Sequence, residues 1–104
     1  MSIDVQIRGH SARIAVSGRF DFQLHRDFKD AYTPLLDNAA ASEIELEMSK
    51  VYYMDSAALG MLLLFSERAH AANKPVVLVN VSGTVLRVLE IANLDKIFNI
   101  KRMA

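Results

Sequence analysis

The chain has no cysteine and no tryptophan. Without thiols it can form no disulfide, thiolate zinc centre or cysteine nucleophile, so packing alone must hold its 104 residues together. Two prolines and four glycines are too few for a flexible linker or a glycine-rich phosphate loop. Neither sign of charge is in excess, with twelve Lys and Arg against twelve Asp and Glu. That balance argues against steering toward nucleic acid or an anionic membrane. No apolar run approaches the roughly twenty residues that cross a bilayer. The start, Met1-Ser2-Ile3-Asp4-Val5-Gln6, alternates like a strand and has no basic segment followed by an apolar block. His10, His25 and His70 are scattered and lack a metal-ligand spacing. The expectation is one soluble, cytoplasmic domain over residues 1–104, with no metal, no cofactor, and neither nucleic acid nor membrane as partner.

What the chain does contain is an apolar period that switches between two and three to four, the mark of a mixed α/β domain. Ile3, Val5 and Ile7 alternate with polar residues, Gly9-His10 makes a turn, and Ala12, Ile14 and Val16 alternate again, which predicts a hairpin. Leu24, Phe28, Ala31, Tyr32 and Leu35 then share one face of an amphipathic helix whose last turn holds Pro34, a residue that should kink or loosen it. Ile44, Leu46 and Met48 alternate with Glu43, Glu45 and Glu47, predicting a strand over Glu43 to Met48 with one wet face. A helix is expected from Ser56 to about Asn73, stopped by Pro75. Val76 to Val79 reads as a strand covered on both sides. Ser82 should cap a helix with Val85, Val88, Leu89 and Ala92 on one face, and a last strand is expected around Ile97 to Ile100.

The most informative stretch is Met54-Asp55-Ser56-Ala57-Ala58-Leu59-Gly60-Met61-Leu62. A strand and a short loop leading into an apolar helix put Ser56 at the helix N-cap. Its hydroxyl would accept a bond from a first-turn N–H, and the positive end of the dipole favours an anion there. Such a serine suits a phosphate, although without the neighbouring sequence a plain capping role is the commoner explanation. Asp55 beside it is no catalytic base for a serine, and no histidine or lysine adjoins the pair. Asp55 either shapes the loop and orients a partner or is a second local cap, and Asp21 carries the same two readings. Glu43, Glu45 and Glu47 read as a solvated strand face rather than a metal site.

On the helix after Ser56, Ala58, Leu62, Phe65 and Ala69 form the expected core stripe, which leaves Gly60, Leu63, Leu64 and Glu67 on or near the opposite face. Those leucines are either an apolar docking patch or are covered by another element.

The order of two strands, then helix, strand, helix, strand, helix, strand resembles the STAS-domain fold of bacterial anti-sigma factor antagonists, and the resemblance covers nearly the whole chain. Tyr53-Met54-Asp55-Ser56-Ala57-Ala58-Leu59-Gly60 is similar to the family signature Met-Asp-Ser-(Ser/Thr)-Gly-Leu-Gly, and Val16-Ser17-Gly18-Arg19-Phe20-Asp21 is similar to its Gly-x-Leu-Asp segment. The resemblance implies phosphorylation of Ser56 by an anti-sigma factor with a kinase fold and reversal by a serine phosphatase. It also implies that only the unphosphorylated form binds the anti-sigma factor and frees the sigma factor. The partner surface expected on this basis comprises Asp21, Asp55, Ser56, Ala57, Leu59, Gly60, Leu63 and Leu64. Ala57 replaces the usual second hydroxyl, leaving Ser56 as the motif's one acceptor, and Ala58 replaces a glycine, which should hinder a partner's close approach. The alternative is a STAS adaptor subunit of a transporter or sensory assembly. An enzyme ranks behind both, because the chain offers no nucleophile beside a base, no phosphate loop and no metal set.

Overall fold

The computed structural model describes residues 2–103. Two strands, β1 (Ser2–Arg8) and β2 (Ser11–Phe20), form the predicted hairpin, with Gly9 in the left-handed region (φ 60°) that the tight turn requires. A short 3₁₀ turn (Phe22–Leu24) leads into α1 (His25–Leu36), followed by β3 (Glu43–Met54), α2 (Ser56–Ala71), β4 (Val76–Val81), α3 (Gly83–Ile91), a second 3₁₀ turn (Leu94–Lys96) and β5 (Asn99–Arg102). The five strands form one mixed sheet in the order β1-β2-β3-β4-β5, antiparallel between β1 and β2 and parallel elsewhere. This is the α/β domain that the changing period predicts.

The topology dictates where the core lies. From β2 onward each crossover steps the same way across the sheet. Right-handed crossovers taken in one direction deliver every helix to the same face. Ala12, Ile14 and Val16 of β2, Ile44, Leu46 and Met48 of β3, and Leu78 and Val81 of β4 accordingly pack beneath buried residues of all three helices. Phe28 sits in an aromatic cluster, its ring centroid 5.3 Å from both Phe20 and Phe65, and Tyr32 lies 4.8 Å from Phe65. The Lys74 ammonium closes the far end of this layer. It donates to the carbonyls of Leu35 (2.9 Å), Asn38 and Ala41 (2.7 Å), tying the end of α1 to the start of β4.

The opposite face carries no helix among the described residues and is correspondingly polar. Arg13 and Glu45, level in the register of β2 and β3, form an ion pair at 3.1 Å. Glu47 accepts hydrogen bonds from the Ser49 N–H (2.8 Å), the Ser49 hydroxyl (2.7 Å) and the Asn80 amide. Partial burial pushes the Glu47 carboxyl up, but these bonds, with Arg13 nearby, outweigh it and hold the pKa below its usual value. A depressed carboxylate contributes stability above its unfolded-state pKa, and that contribution is lost as pH falls through the lowered value. Glu45 and Glu47 are thus half-buried and bonded rather than freely solvated.

Several expected boundaries move. β3 does not stop at Met48. It continues to Met54 through two irregularities in its pairing with β2, because an extra residue at each lets the strand bend and go on. β4 is buried on both sides, as expected, with Leu78 and Val81 toward the helices and Val79 buried on the helix-free face. The unbroken apolar run reflects its position between β3 and β5. The last strand begins at Asn99 rather than Ile97, since Leu94–Lys96 turns first and the Ile97 N–H bonds back to Leu94. α2 ends at Ala71, two residues early. Leu24 belongs to the 3₁₀ turn before α1, and Pro34 lies in the final turn of a helix that continues through it to Leu36.

Candidate functional site

β2 and β3 run parallel with Phe20 level with Met54, so Asp21 and Asp55 leave the sheet side by side. Each has an extended backbone, and each uses its carboxylate to receive an N–H of the turn that follows. Asp21 accepts from the Gln23 N–H at 3.0 Å and Asp55 from the Ala58 N–H at 3.0 Å. Ser82 repeats the device after β4, accepting from the Val85 N–H at 3.4 Å. The helix after Met54 is therefore capped by Asp55, not by Ser56. With β3 reaching Met54, one residue remains for the cap, and Ser56 falls on the first helical position. The Ser56 side chain is exposed and makes no hydrogen bond with the described residues, so the hydroxyl is not consumed in holding the helix.

The two sides of α2 separate as the period demands. Ala58, Leu62, Phe65 and Ala69 are buried in the core, joined by Met61. Ser56, Gly60 and Glu67 run along the outward ridge, flanked by Leu63 and Leu64, which stay 40% and 36% exposed, Leu64 bordering α1. Ala57 is half-buried, and Leu59 is half-buried against the core. Ala58 is wholly buried, so it points away from any partner and cannot hinder one, contrary to expectation. Gly60 lies open: a methyl group added there would meet no atom within 4 Å. Nothing inside the molecule requires glycine at this mid-helix position, where it costs roughly 1 kcal/mol relative to alanine.

The structure brings further residues to this end of the sheet that sequence reasoning missed. Phe22, next to the Asp21 cap, is 69% exposed, and its ring stacks on His25 at 5.6 Å. His25 in turn lines a small crevice with Met61 and Leu64, so an apolar and aromatic strip joins the start of α1 to the outward side of α2. Arg19 lies over the Tyr53 ring at 3.9 Å, with its Nε 3.5 Å from the Asp21 carboxylate. Arg19, Asp21, Gln23 and Tyr52 line a shallow depression of about 210 Å³. Phe22 could have been suspected because it falls off the apolar stripe of α1. Tyr52 and Tyr53 could not, since their outward aim depends on the irregular pairing of β3.

The family model described as "Mlab, STAS domain" matches residues 3–101. The chain belongs to the STAS-domain family. A STAS-domain containing protein of Pseudomonas aeruginosa (PA14_20770) is 38% identical over 92 residues, covering 88% of this chain and 89% of the relative. Among solved structures, a candidate anti-sigma factor antagonist of Thermotoga maritima superposes with a TM-score of 0.84 at 23% identity, covering 95% of this STAS domain and 85% of that chain. The Bacillus cell fate determinant SpoIIAA in its phosphorylated form superposes with a TM-score of 0.73 at 17% identity, covering 95% and 90%. At these identities the structures establish the shared STAS fold. No helix among the described residues is long and apolar enough to cross a membrane.

Proposed function

We propose that this STAS domain is an anti-sigma factor antagonist whose binding is switched off by phosphorylation of Ser56. The observation that carries the reading is the division of labour at the start of α2. Asp55 does the capping, which leaves an exposed and unbonded hydroxyl at Ser56 on the same ridge as Gly60, two turns before the exposed Leu63 and Leu64. The unmodified surface offers apolar anchors and a place where a partner's backbone can approach Gly60 closely. Asp21, Asp55, Ala57 and Leu59 contribute to its margin, with Phe22 extending it. The superposition on phosphorylated SpoIIAA supports the same reading at the level of fold.

A phosphate on Ser56 would add about 1.5 to 2 negative charges at pH 7 beside Asp55 and on the ridge that leads to the apolar patch, so docking would meet like-charge repulsion and a desolvation cost. The fold itself should tolerate the group, because a helix N-terminus favours an anion by roughly 0.3–1 kcal/mol when exposed. The switch then acts on the surface and not through refolding. The partner is an anti-sigma factor, acting as or with a serine kinase, and a serine phosphatase restores the active form.

The test is to capture the partner from the native cell and titrate it calorimetrically with wild type, Ser56→Ala and Ser56→Asp, while mapping the phosphate by mass spectrometry after kinase treatment. Ser56→Ala is expected to bind like wild type and Ser56→Asp at least tenfold more weakly. Equal affinities, or a phosphate on Ser17, Ser66 or Ser82 with Ser56 unmodified, would sink the assignment. A transporter subunit retained regardless of the Ser56 variant would identify the domain as an adaptor instead.

A further inference from the structure

The two edges of the sheet are built differently. β5 is four residues long and ends in Lys101 and Arg102, the short, charged form that blunts an edge. β1 is seven residues long, contains no proline, and pairs only with β2. Its outer side therefore presents unpaired N–H and C=O groups. Its register places Ile3, Val5 and Ile7 level with Val16, Ile14 and Ala12, on the helix-bearing face, yet the helices do not reach the strand's outer half. Val5 is 39% and Ile7 is 50% exposed. On the other face Arg8 donates to Gln6 at 3.1 Å and Gln6 to Asp4 at 3.5 Å, forming one hydrogen-bonded row with a negative and a positive end.

We propose that β1 pairs antiparallel with β1 of a second copy of this chain, giving a two-fold dimer with a continuous ten-stranded sheet. The sequence of the strand is self-complementary about Gln6. Turned through two-fold symmetry at that residue, Asp4 lies opposite Arg8 of the second copy and Arg8 opposite its Asp4, while Val5 lies opposite Ile7 on the other face. Both faces therefore match in one register. A shift of one residue sets apolar against polar and turns the helix layers to opposite sides. Shifts of two leave Asp4 or Arg8 against Gln6, and larger even shifts set Asp4 against Asp4 or Arg8 against Arg8. The dimer satisfies the edge hydrogen bonds and buries the apolar row, with an isologous interface. Ser56 and the strand ends that flank it lie on β3 and α2, away from this edge, so the inference does not rest on the function proposed above.

Sedimentation velocity across a range of concentrations tests it, with wild type, Arg8→Asp, and the charge swap Asp4→Arg with Arg8→Asp. Wild type is expected to dimerise. Arg8→Asp turns both symmetry-related ion pairs into repulsions and should weaken the dimer about tenfold or more. The double swap restores opposite charges across the axis and should recover wild-type association to within a few-fold. Both side chains are exposed, so the melts of these variants should stay close to wild type. Val5→Lys, which breaks the apolar row instead, should also give monomer. A wild-type protein that stays monomeric at millimolar concentration overturns the proposal. A dimer indifferent to Arg8→Asp and Val5→Lys overturns it too, as does a double swap that fails to reassociate.

Discussion

Leu62 and Leu64 sit two residues apart on α2 and meet opposite fates. Leu62 is wholly buried in the core, and Leu64 remains more than a third exposed beside the start of α1. The side chains are identical, so the difference comes from the roughly 200° that two helical residues span. The buried side is continuous: Ala58, Leu62, Phe65 and Ala69 touch the sheet or the aromatic cluster. The outward side mixes a serine, a glycine, two leucines and a glutamate, a composition that packing does not explain. An amphipathic helix needs polar residues on its wet face. Leucines there, with a glycine nothing inside requires, fit a surface shaped for something outside the molecule.

The largest effect should come from the buried side. Phe65→Ala removes a fully buried ring of the aromatic cluster and should cost about 3–5 kcal/mol of stability, read from denaturant unfolding. A loss below about 1 kcal/mol would mean that the cluster contributes little and that the core lies elsewhere. Leu62→Ala and Leu64→Ala compare the two sides directly. The first should lose about 2–5 kcal/mol. The second should stay within about 0.5 kcal/mol while partner affinity drops. A melting temperature that falls for Leu64→Ala with affinity unchanged would place Leu64 in the core and erase the distinction.

The start of the same helix gives a smaller contrast. Asp55→Ala removes the cap and should cost about 0.5–2 kcal/mol, whereas Ser56→Ala should change thermal stability by less than about 0.5 kcal/mol. Equal losses for the two would return the capping role to Ser56. Smallest of all, Gly60→Ala should stabilise the domain by about 0.5–1 kcal/mol, because alanine is the better helix former and its methyl has open space. The same change should weaken partner binding. Gain in stability with full affinity would show that no partner approaches the Gly60 backbone.

The strands and helices of this domain are legible in its sequence because their apolar residues recur at the period of each element. The hairpin at Gly9, the core stripe of α2 and the caps at Asp21 and Ser82 follow from local pattern and turn chemistry alone. The cap of α2 does not. Asp and Ser are nearly equal as N-caps, so the choice between Asp55 and Ser56 depends on how far β3 extends. That in turn depends on irregular pairing with β2, which no window of the sequence contains. The meeting of Arg19 with the tyrosine pair is hidden for the same reason, since it occurs only where two parallel strands end side by side.

The sequence by itself determined the class of fold, the alternation that divides α2 into two sides, and the motif around Ser56. Each of these is a repeat or a turn preference acting within a few residues. Only the tertiary structure decided which end of the sheet gathers the aspartates, which face the helices cover, and which leucines remain uncovered. Those outcomes depend on contacts between strands far apart in the chain. Right-handed crossovers taken in one direction place all three helices on a single face, and that geometry leaves Leu63, Leu64 and the edge of β1 open to solvent.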